Sequence, residues 1–353
     1  MNSPDPVILS DVRRVAEAID LSPFAHAKVL LAGANGLIGS YFAHLLYHLN
    51  ASHGFGIEVD LISRSAVTEQ SRIYALRDSP GFRFVRQDLS AYTSYERPYD
   101  FMIHAAGYGA PAQFLQEPLK VMDVNYIGLK SMLESARAQG TTPRVLYLSS
   151  SEVYGSPTVF PTPETYPGNS PVTSNRACYV ESKRLSEVLA LAYGSLYDMP
   201  VKIARPALSY GPGMPFSDTR VMSQFIRKAH EEREIRMLDD GRDLRCYCYM
   251  SDVLRQLAAV LLYGREAIYN VGSAQEEISI RQLAEMIGEL MGARVIPGPG
   301  KNGAVAAAPS RVCLDMRKLE HEFGFTPAVP MAKGLKNTID WSLAHAKNES
   351  PTP

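Results

Sequence analysis

The stretch "KVLLAGANGLIGS", Lys28–Ser40, decides the fold. It starts as an apolar strand, continues into the helical run "LIGSYFAHLLYHLN", and fills the turn between them with Gly33, Gly36 and Gly39. Glycines at such a turn permit a tight bend, let backbone N–H groups approach a pyrophosphate and allow close helix packing, while the helix N-terminus favours negative charge. The strand–turn–helix context predicts dinucleotide binding, with Gly33, Asn35, Gly36, Leu37, Ile38 and Gly39 at the cofactor.

Outward from that element the chain alternates. Strands are expected at "IEVDLIS", "FRFVRQ", "DFMIHAA", "RVLYLSS" and "VKIARP", with helices from Pro118 to about Ala138 and from Cys178 to Leu196. Alternation of this kind predicts an α/β fold, a Rossmann-type doubly wound parallel sheet. After Gly211-Pro212 the spacing becomes irregular, with helices near 219–231, 251–263 and 279–292 and polar loops such as "GPGKNGAVAAAPS". The expected division is an N-terminal helical extension (1–27), a dinucleotide-binding domain (28–205), a smaller substrate-binding lobe (206–345) with segments returning to the first domain, and a flexible tail (346–353). Within the extension, periodicity suggests a helix over 10–20 with Ser10 and Asp11 as cap candidates.

Composition excludes several classes. In 353 residues, 36 basic side chains balance 37 acidic ones and no charged block appears, which argues against a nucleic-acid or polybasic membrane partner. Cys178, Cys246, Cys248 and Cys313 form neither a disulfide framework nor a zinc ribbon, and Cys246-Tyr-Cys248 has strand spacing. The eight histidines lack an H-x-x-x-H pair near acidic partners, so no metal is expected. The opening residues lack an uninterrupted apolar signal core, and no long apolar span occurs, so a soluble cytoplasmic protein is expected.

The second strand ends at Ser63 and Arg64, where an acid would bind the adenosine ribose hydroxyl and an arginine accommodates a 2′-phosphate. The cofactor expectation is therefore NAD(P)+, leaning towards NADP through Arg64. Further along, Tyr179 and Lys183 share one helix face, where a lysine ammonium is expected to stabilise a tyrosinate and lower its pKa for proton abstraction. With nineteen tyrosines such a pair arises readily by chance, so its order in the chain matters more. It follows the glycine loop and a strand ending in Ser149, Ser150 and Ser151, which brings Ser150 and Tyr179 together, with Glu152 directly behind.

The ordered set "GANGLIG", Asp88-Leu89, "HAAG" from His104, "NYIG" from Asn125, "SSSEVYG" from Ser149, Tyr179 with Lys183, and "SYGPG" from Ser209 resembles the extended short-chain dehydrogenase/reductases of the nucleotide-sugar epimerase/dehydratase family over about residues 28–340. The resemblance implies that Tyr179, aided by Lys183 and Ser150, takes the C4 hydroxyl proton of a sugar while hydride passes to a tightly bound, recycled nicotinamide. It implies that Asp88 and Leu89 hold the adenine side, that Asn125 supports the active-site geometry, and that Ala105, Ala106, Ser149 and Pro206 also border the cofactor. A nucleotide-diphosphate sugar is the implied partner, with Arg220, Val221, Arg245 and Arg311 at the substrate and with homodimerisation through the helix "LSEVLALAYGSLY".

Local likeness is strongest to UDP-glucuronate decarboxylases, in "EPLKVMDVNYIGL", "NRACYVESKR" and "YGPGMPFSDTRVMSQFI". Glu152 would then act at the centre activated by C4 oxidation, orienting the sugar for loss of carbon dioxide, or removing the C5 proton in a 4,6-dehydratase. The chain departs from family patterns at Ser151, where dTDP-glucose dehydratases carry an aspartate, at "SRVCLD" in place of an arginine followed by Lys-Pro-Asp, and at Leu208 in place of an asparagine. The alternatives to a decarboxylase are a 4,6-dehydratase, an epimerase, an NADPH-dependent ketosugar reductase and a non-catalytic regulator. His104 is expected to be a packed or hydrogen-bonding residue rather than a catalyst.

Overall fold

The computed structural model describes residues 4–109, 116–174, 176–299 and 309–346. The expected tail lies outside them from residue 347 onward, as does most of the "GPGKNGAVAAAPS" loop. Seven parallel strands form the central sheet: β1 (Lys28–Ala32), β2 (Glu58–Ser63), β3 (Phe82–Arg86), β4 (Phe101–His104), β5 (Arg144–Leu148), β6 (Val201–Pro206) and β10 (Ile268–Val271). Their order across the sheet is β10-β6-β5-β4-β1-β2-β3. The fold is thus α/β, a Rossmann-type doubly wound sheet.

The continuous apolar character of "KVLLA" follows from burial on both faces. Val29 and Leu31 join one core with α1 (Pro6–Ala18), α2 (Leu37–His53) and α6 (Met250–Tyr263). Leu30 and Ala32 point the other way, into a second core with α3 (Pro118–Ala138) and α4 (Ala177–Tyr197). Strand order reverses between β1 and β4, and a crevice opens there at the carboxyl ends of the strands.

Residues after β6 build a smaller sheet that sequence periodicity leaves as irregular chain. In it β9 (Leu244–Tyr249) pairs with β7 (Leu208–Tyr210), β11 (Glu277–Ser279) and β13 (Arg311–Val312). A separate pair joins β8 (Glu234–Arg236) to β12 (Arg294–Ile296). The helices α5 (Val221–Glu232), α7 (Ile280–Met291) and α9 (Met331–His345) share an apolar core with these strands. Ser279 and Gln282 form a reciprocal capping box at the start of α7. A short α8 (Arg317–Phe323) contacts β10, whose place in the main sheet ties the chain's later half to its first.

The N-terminal extension corrects one expectation. Its helix begins at Pro6, not near Ser10, and Asp5 caps it by accepting from the Val7 and Ile8 amides at 2.9 and 3.3 Å. Asp11 lies inside the helix and is buried, accepting from Tyr41 on α2 at 3.1 Å. The extension packs against α2 and α6 on the sheet's first face.

Burial pushes the Asp11 carboxyl up to about 6, against hydrogen bonds from Tyr249 and Tyr41 and the nearby Arg14 cation; Asp252 adds to the rise. Because its folded value exceeds the unfolded one, the stabilisation is full below the unfolded value and is lost as pH rises through about 6. Denaturant titrations at pH 4.5 and pH 7.5 should therefore show wild type losing on the order of 2 kcal/mol that Asp11→Asn retains. Equal losses in the two proteins would contradict the assignment.

Candidate active site

Gly33 occupies a left-handed conformation at φ +81°, and a Cβ there would fall 2.5 Å from the Ala106 amide nitrogen. At Gly39 a Cβ would meet the Gly33 carbonyl oxygen at 2.2 Å, so the first turn of α2 can pack on the loop only as glycine. The turn closes with the Gly36 amide donating to Gly33 at 3.0 Å, while the Gly33 and Ala34 amides donate to the Ile62 carbonyl. Above it lies a groove of about 220 Å³. Gly33, Asn35 and Gly36 meet Ser63 and Arg64 there, and Asp88, Leu89, Ala105 and Ala106 close the other side. Leu37, Ile38 and Gly39 form the helix start beneath them. This glycine cradle, at the point where strand order reverses, fits a dinucleotide pyrophosphate against a helix N-terminus.

Arg64 is engaged in a way the sequence did not signal. It donates to the Tyr108 hydroxyl at 2.6 Å, and that hydroxyl donates to Glu117 at 3.1 Å. Tyr108 directly follows the "HAAG" motif, which was the available cue. Asp60, the acid in β2, is committed elsewhere, to Arg83, Arg97 and Tyr99.

The catalytic candidates converge where α4 crosses the end of β5. Lys183 donates to the Leu148 carbonyl at 2.7 Å, and its ammonium lies 4.9 Å from the Tyr147 ring centre and 5.8 Å from that of Tyr179. Tyr179 and Ser150 are hydrogen-bonded. Ser150 also accepts from the Glu152 amide at 3.2 Å, capping the short turn Ser151–Tyr154. Asn125 on α3 donates to Ser182 at 2.9 Å, bracing α4 from below. Ser149 turns away from the site and donates to Glu187 at 2.6 Å. Pro206 ends β6 on the same carboxyl edge of the sheet.

Burial pushes the Tyr179 phenol up to about 12, outweighing the Ser150 hydrogen bond, and burial brings Lys183 down to about 7 with Glu187 partly opposing. Lys183 turns its ammonium to the Leu148 carbonyl while remaining 5.8 Å from the Tyr179 ring centre. His104 is fully buried, and burial, with the nearby Lys183 charge, brings it down to about 3, so the imidazole is held neutral.

Past the Ser151–Tyr154 turn opens a larger cavity of about 480 Å³, whose lining includes Ser151 and Glu152 but not Ser150, Tyr179 or Lys183. Ser151 and Glu152 form one wall, and Arg220, Val221, Arg245 and Arg311 stand on the others. Leu208 also reaches it, at the position of the family asparagine. The three arginines expected at the diphosphate each have a carboxylate partner. Arg220 grips Asp218 with contacts of 2.7 to 3.1 Å, Arg245 reaches Asp243 at 3.4 Å, and Arg311 makes a two-pronged bond to Glu277 at 2.6 and 2.9 Å. Asp218 and Asp243 each stand two residues before their arginine, and Glu277 on β11 meets Arg311 on β13 across the intervening β9, so an incoming anion shares these guanidinium groups with protein carboxylates.

Arg176 is the residue the sequence reading missed. It stands just before α4, lines the cavity, and binds Glu152 through both carboxylate oxygens, at 3.0 Å through Nε and more closely through Nη2. Its signal was its place in "NRACYVESKR", three residues before Tyr179.

Comparison with known proteins agrees with this geometry. The family model described as the NAD dependent epimerase/dehydratase family matches residues 29–272. UDP-glucuronic acid decarboxylase 1 of Xenopus tropicalis is 30% identical over 339 residues, 94% of this chain and 77% of that protein. An epimerase of Methanothermobacter thermautotrophicus superposes with a TM-score of 0.78 at 24% identity, covering 97% of each chain. The dTDP-glucose 4,6-dehydratase DesIV of Streptomyces venezuelae, solved with NAD, gives 0.77 at 25% identity over 92% of this chain and 99% of its own. With the glycine cradle, the Ser150, Tyr179 and Lys183 cluster and a match across most of its length, this chain belongs to the NAD-dependent epimerase/dehydratase family.

Proposed function

We propose that the protein removes carbon dioxide from the C5 carboxylate of a nucleotide-diphosphate hexuronate, with UDP-glucuronate as substrate. The observation that carries this reading is the Glu152–Arg176 pair on the cavity wall. A site that accepts a sugar carboxylate next to Glu152 needs a cation between the two anions, and a guanidinium fork supplies it. A C5 base in a dehydratase would instead need a free carboxylate, and both Glu152 oxygens are held by Arg176. Relatives named as UDP-glucuronic acid decarboxylases support the same choice.

In this reading the groove residues hold a nicotinamide dinucleotide, which when bound accepts and returns a hydride at the sugar C4. Tyr179 takes the C4 hydroxyl proton, Ser150 holds that hydroxyl in line, and Lys183 supplies positive charge as the phenolate forms. C4 oxidation makes the C5 carboxylate a β-keto acid, so the bond to carbon dioxide breaks without a strong base. Ser151 and Glu152 orient the ring, while Arg220, Arg245 and Arg311 with the Val221 backbone bind the diphosphate side. The free thiols of Cys178, Cys246, Cys248 and Cys313 favour a reducing cytoplasm; no helix among the described residues is long and apolar enough to cross a membrane.

Incubation with UDP-glucuronate should yield a product lighter by one carbon dioxide in mass spectrometry, and an unchanged mass would overturn the reading. Arg176→Ala should weaken UDP-glucuronate binding by about 10- to 100-fold while UDP-glucose, which lacks the carboxylate, binds nearly as before. Equal losses for both would assign Arg176 to general packing instead.

Two finer features complete the proposal. Arg64 sits in the groove with no acid at the tip of β2, which favours a 2′-phosphate. Fluorescence titration of cofactor-stripped protein should then show NADPH binding more tightly than NADH, with Arg64→Ala reversing the order; tighter NADH in wild type sinks the preference. The exposed Leu185, Val188, Leu191 and Leu196 on α4, beside Leu119 and Met122 on α3, support a homodimer built on this helix pair. Sedimentation should report a dimer that Val188→Glu converts to monomer, and a monomeric wild type would exclude it.

A further inference from the structure

The small sheet carries a feature that the proposed reaction does not use. β13 runs parallel to β9 with Arg311 opposite Leu244 and Val312 opposite Arg245, so one step further Cys313 comes opposite Cys246 on the same face. Their sulfur atoms and a carboxylate oxygen of Glu277 all lie within 4.8 Å of one another. Neighbouring strands stand about 4.8 Å apart, within the Cα separation of roughly 4.4–6.8 Å that a disulfide bridges.

Glu277 is not free to complete a metal triad, because Arg311 holds both of its oxygens at 2.6 and 2.9 Å. The reactive unit is the pair of thiols. Both cysteines are buried, Cys246 at 1% and Cys313 at 5% exposure, but Cys313 lines the wall of the cavity and Cys246 does not, so a reagent reaches the pair from that side. Of the two thiols only Cys313 borders the cavity, which marks it as the first nucleophile.

We propose that Cys246 and Cys313 form a reversible disulfide, made by exchange with a small-molecule disulfide entering through the substrate cavity, and that this bond weakens substrate binding. The Cys313 thiolate attacks one sulfur of the small disulfide, and the other sulfur leaves as a thiolate that takes up a proton. Cys246 then loses its proton and attacks the Cys313 sulfur of the mixed disulfide, releasing the second small thiol. Two protein thiols are oxidised and one small disulfide is reduced to two thiols, so the exchange balances without another redox partner.

The coupling to binding follows from what β13 holds. Arg311 stands two residues before Cys313 and shares the cavity with it. The Cys313 carbonyl accepts from the Thr162 amide at 2.9 Å, and the Thr162 carbonyl accepts from the Asp315 amide at 2.9 Å. Shortening a non-bonded sulfur contact to about 2.0 Å draws β13 towards β9 and moves this wall. The disulfide itself is independent of the reaction assigned above; its effect on binding rests on the cavity being the nucleotide-sugar site.

The test treats reduced full-length protein with bis(2-hydroxyethyl) disulfide, with and without millimolar UDP-glucuronate, followed by non-reducing tryptic mass spectrometry. A linked pair of "CYCYMSDVLR" (246–255) and "VCLDMR" (312–317) is expected, persisting in Cys248→Ser, lost in Cys246→Ser, and slowed about tenfold by UDP-glucuronate. Calorimetry should show the oxidised protein binding UDP-glucuronate about fivefold or more weakly, with dithiothreitol restoring affinity and Cys313→Ser, which lacks the first nucleophile, insensitive to oxidant. Absence of the linked peptides, or linkage through Cys248 or Cys178, overturns the disulfide. A link that leaves affinity unchanged overturns the coupling. A reduced protein that cross-links but does not bind UDP-glucuronate keeps the disulfide and overturns the substrate reading together with the coupling.

Discussion

The buried ion pair between Glu187 and Arg205 is the constraint on which the site depends. Glu187 lies on α4, two turns from Tyr179, and Arg205 on β6; Arg205 grips both Glu187 oxygens at 2.8 and 2.6 Å. Two charges this deeply buried persist only if every remaining donor and acceptor is also satisfied. Ser149 donates to Glu187, and Arg205 donates onward to the Tyr154 hydroxyl and the Glu164 carbonyl, both at 3.0 Å. Tyr154 then donates to Asn270 on β10 at 2.6 Å, and Asn270 donates to the Thr162 and Asp315 carbonyls. The helix bearing Tyr179 and Lys183, the turn bearing Ser150 to Glu152, and the strand leading to Arg311 are thereby held in one hydrogen-bonded frame. Removing either partner would leave an unpaired buried charge, at a cost of about 3–5 kcal/mol.

That frame explains how reactive groups can sit in a dry site without collapsing into fixed pairs of their own. Lys183 is brought down to about 7 and Tyr179 up to about 12, both by burial, so neither carries its charge comfortably until a ligand changes the local field. On the substrate side the logic is opposite. There the arginines remain charged, each neutralised in part by a carboxylate: Asp218, Asp243, Glu277 and, for Arg176, Glu152. Under the proposed reaction, such a wall favours a ligand whose own anions can share or replace those partners.

Much of the fold was legible because its signals are local. The period of apolar residues marked β1, α2, α3 and α4 close to their true limits, and the glycine spacing marked the groove. Of the smaller sheet only β9 was signalled, by the strand spacing of Cys246 and Cys248; its partners β7 and β11 have three residues each and β13 two, too few to show a period. The start of α1 was misplaced for a related reason. Asp11 has a cap's chemistry, but Asp5 followed by Pro6 has the cap's position, and only packing against Tyr41 reveals that Asp11 faces inward.

By itself the sequence indicated the doubly wound sheet, the glycine turn and the serine, tyrosine and lysine set, since strand–helix alternation, turn glycines and the i, i+4 spacing of Tyr179 and Lys183 are local patterns whose order along the chain can be read directly. Only the tertiary structure decided what those residues meet: that Glu152 is held by Arg176, that Arg311 crosses to Glu277, and that Cys246 faces Cys313. These partners lie tens of residues apart and on different strands and loops, and their pairing is set by how the two sheets and their helices pack. Periodicity records which face of an element is buried; it carries no record of which charge from elsewhere in the chain will be buried against it.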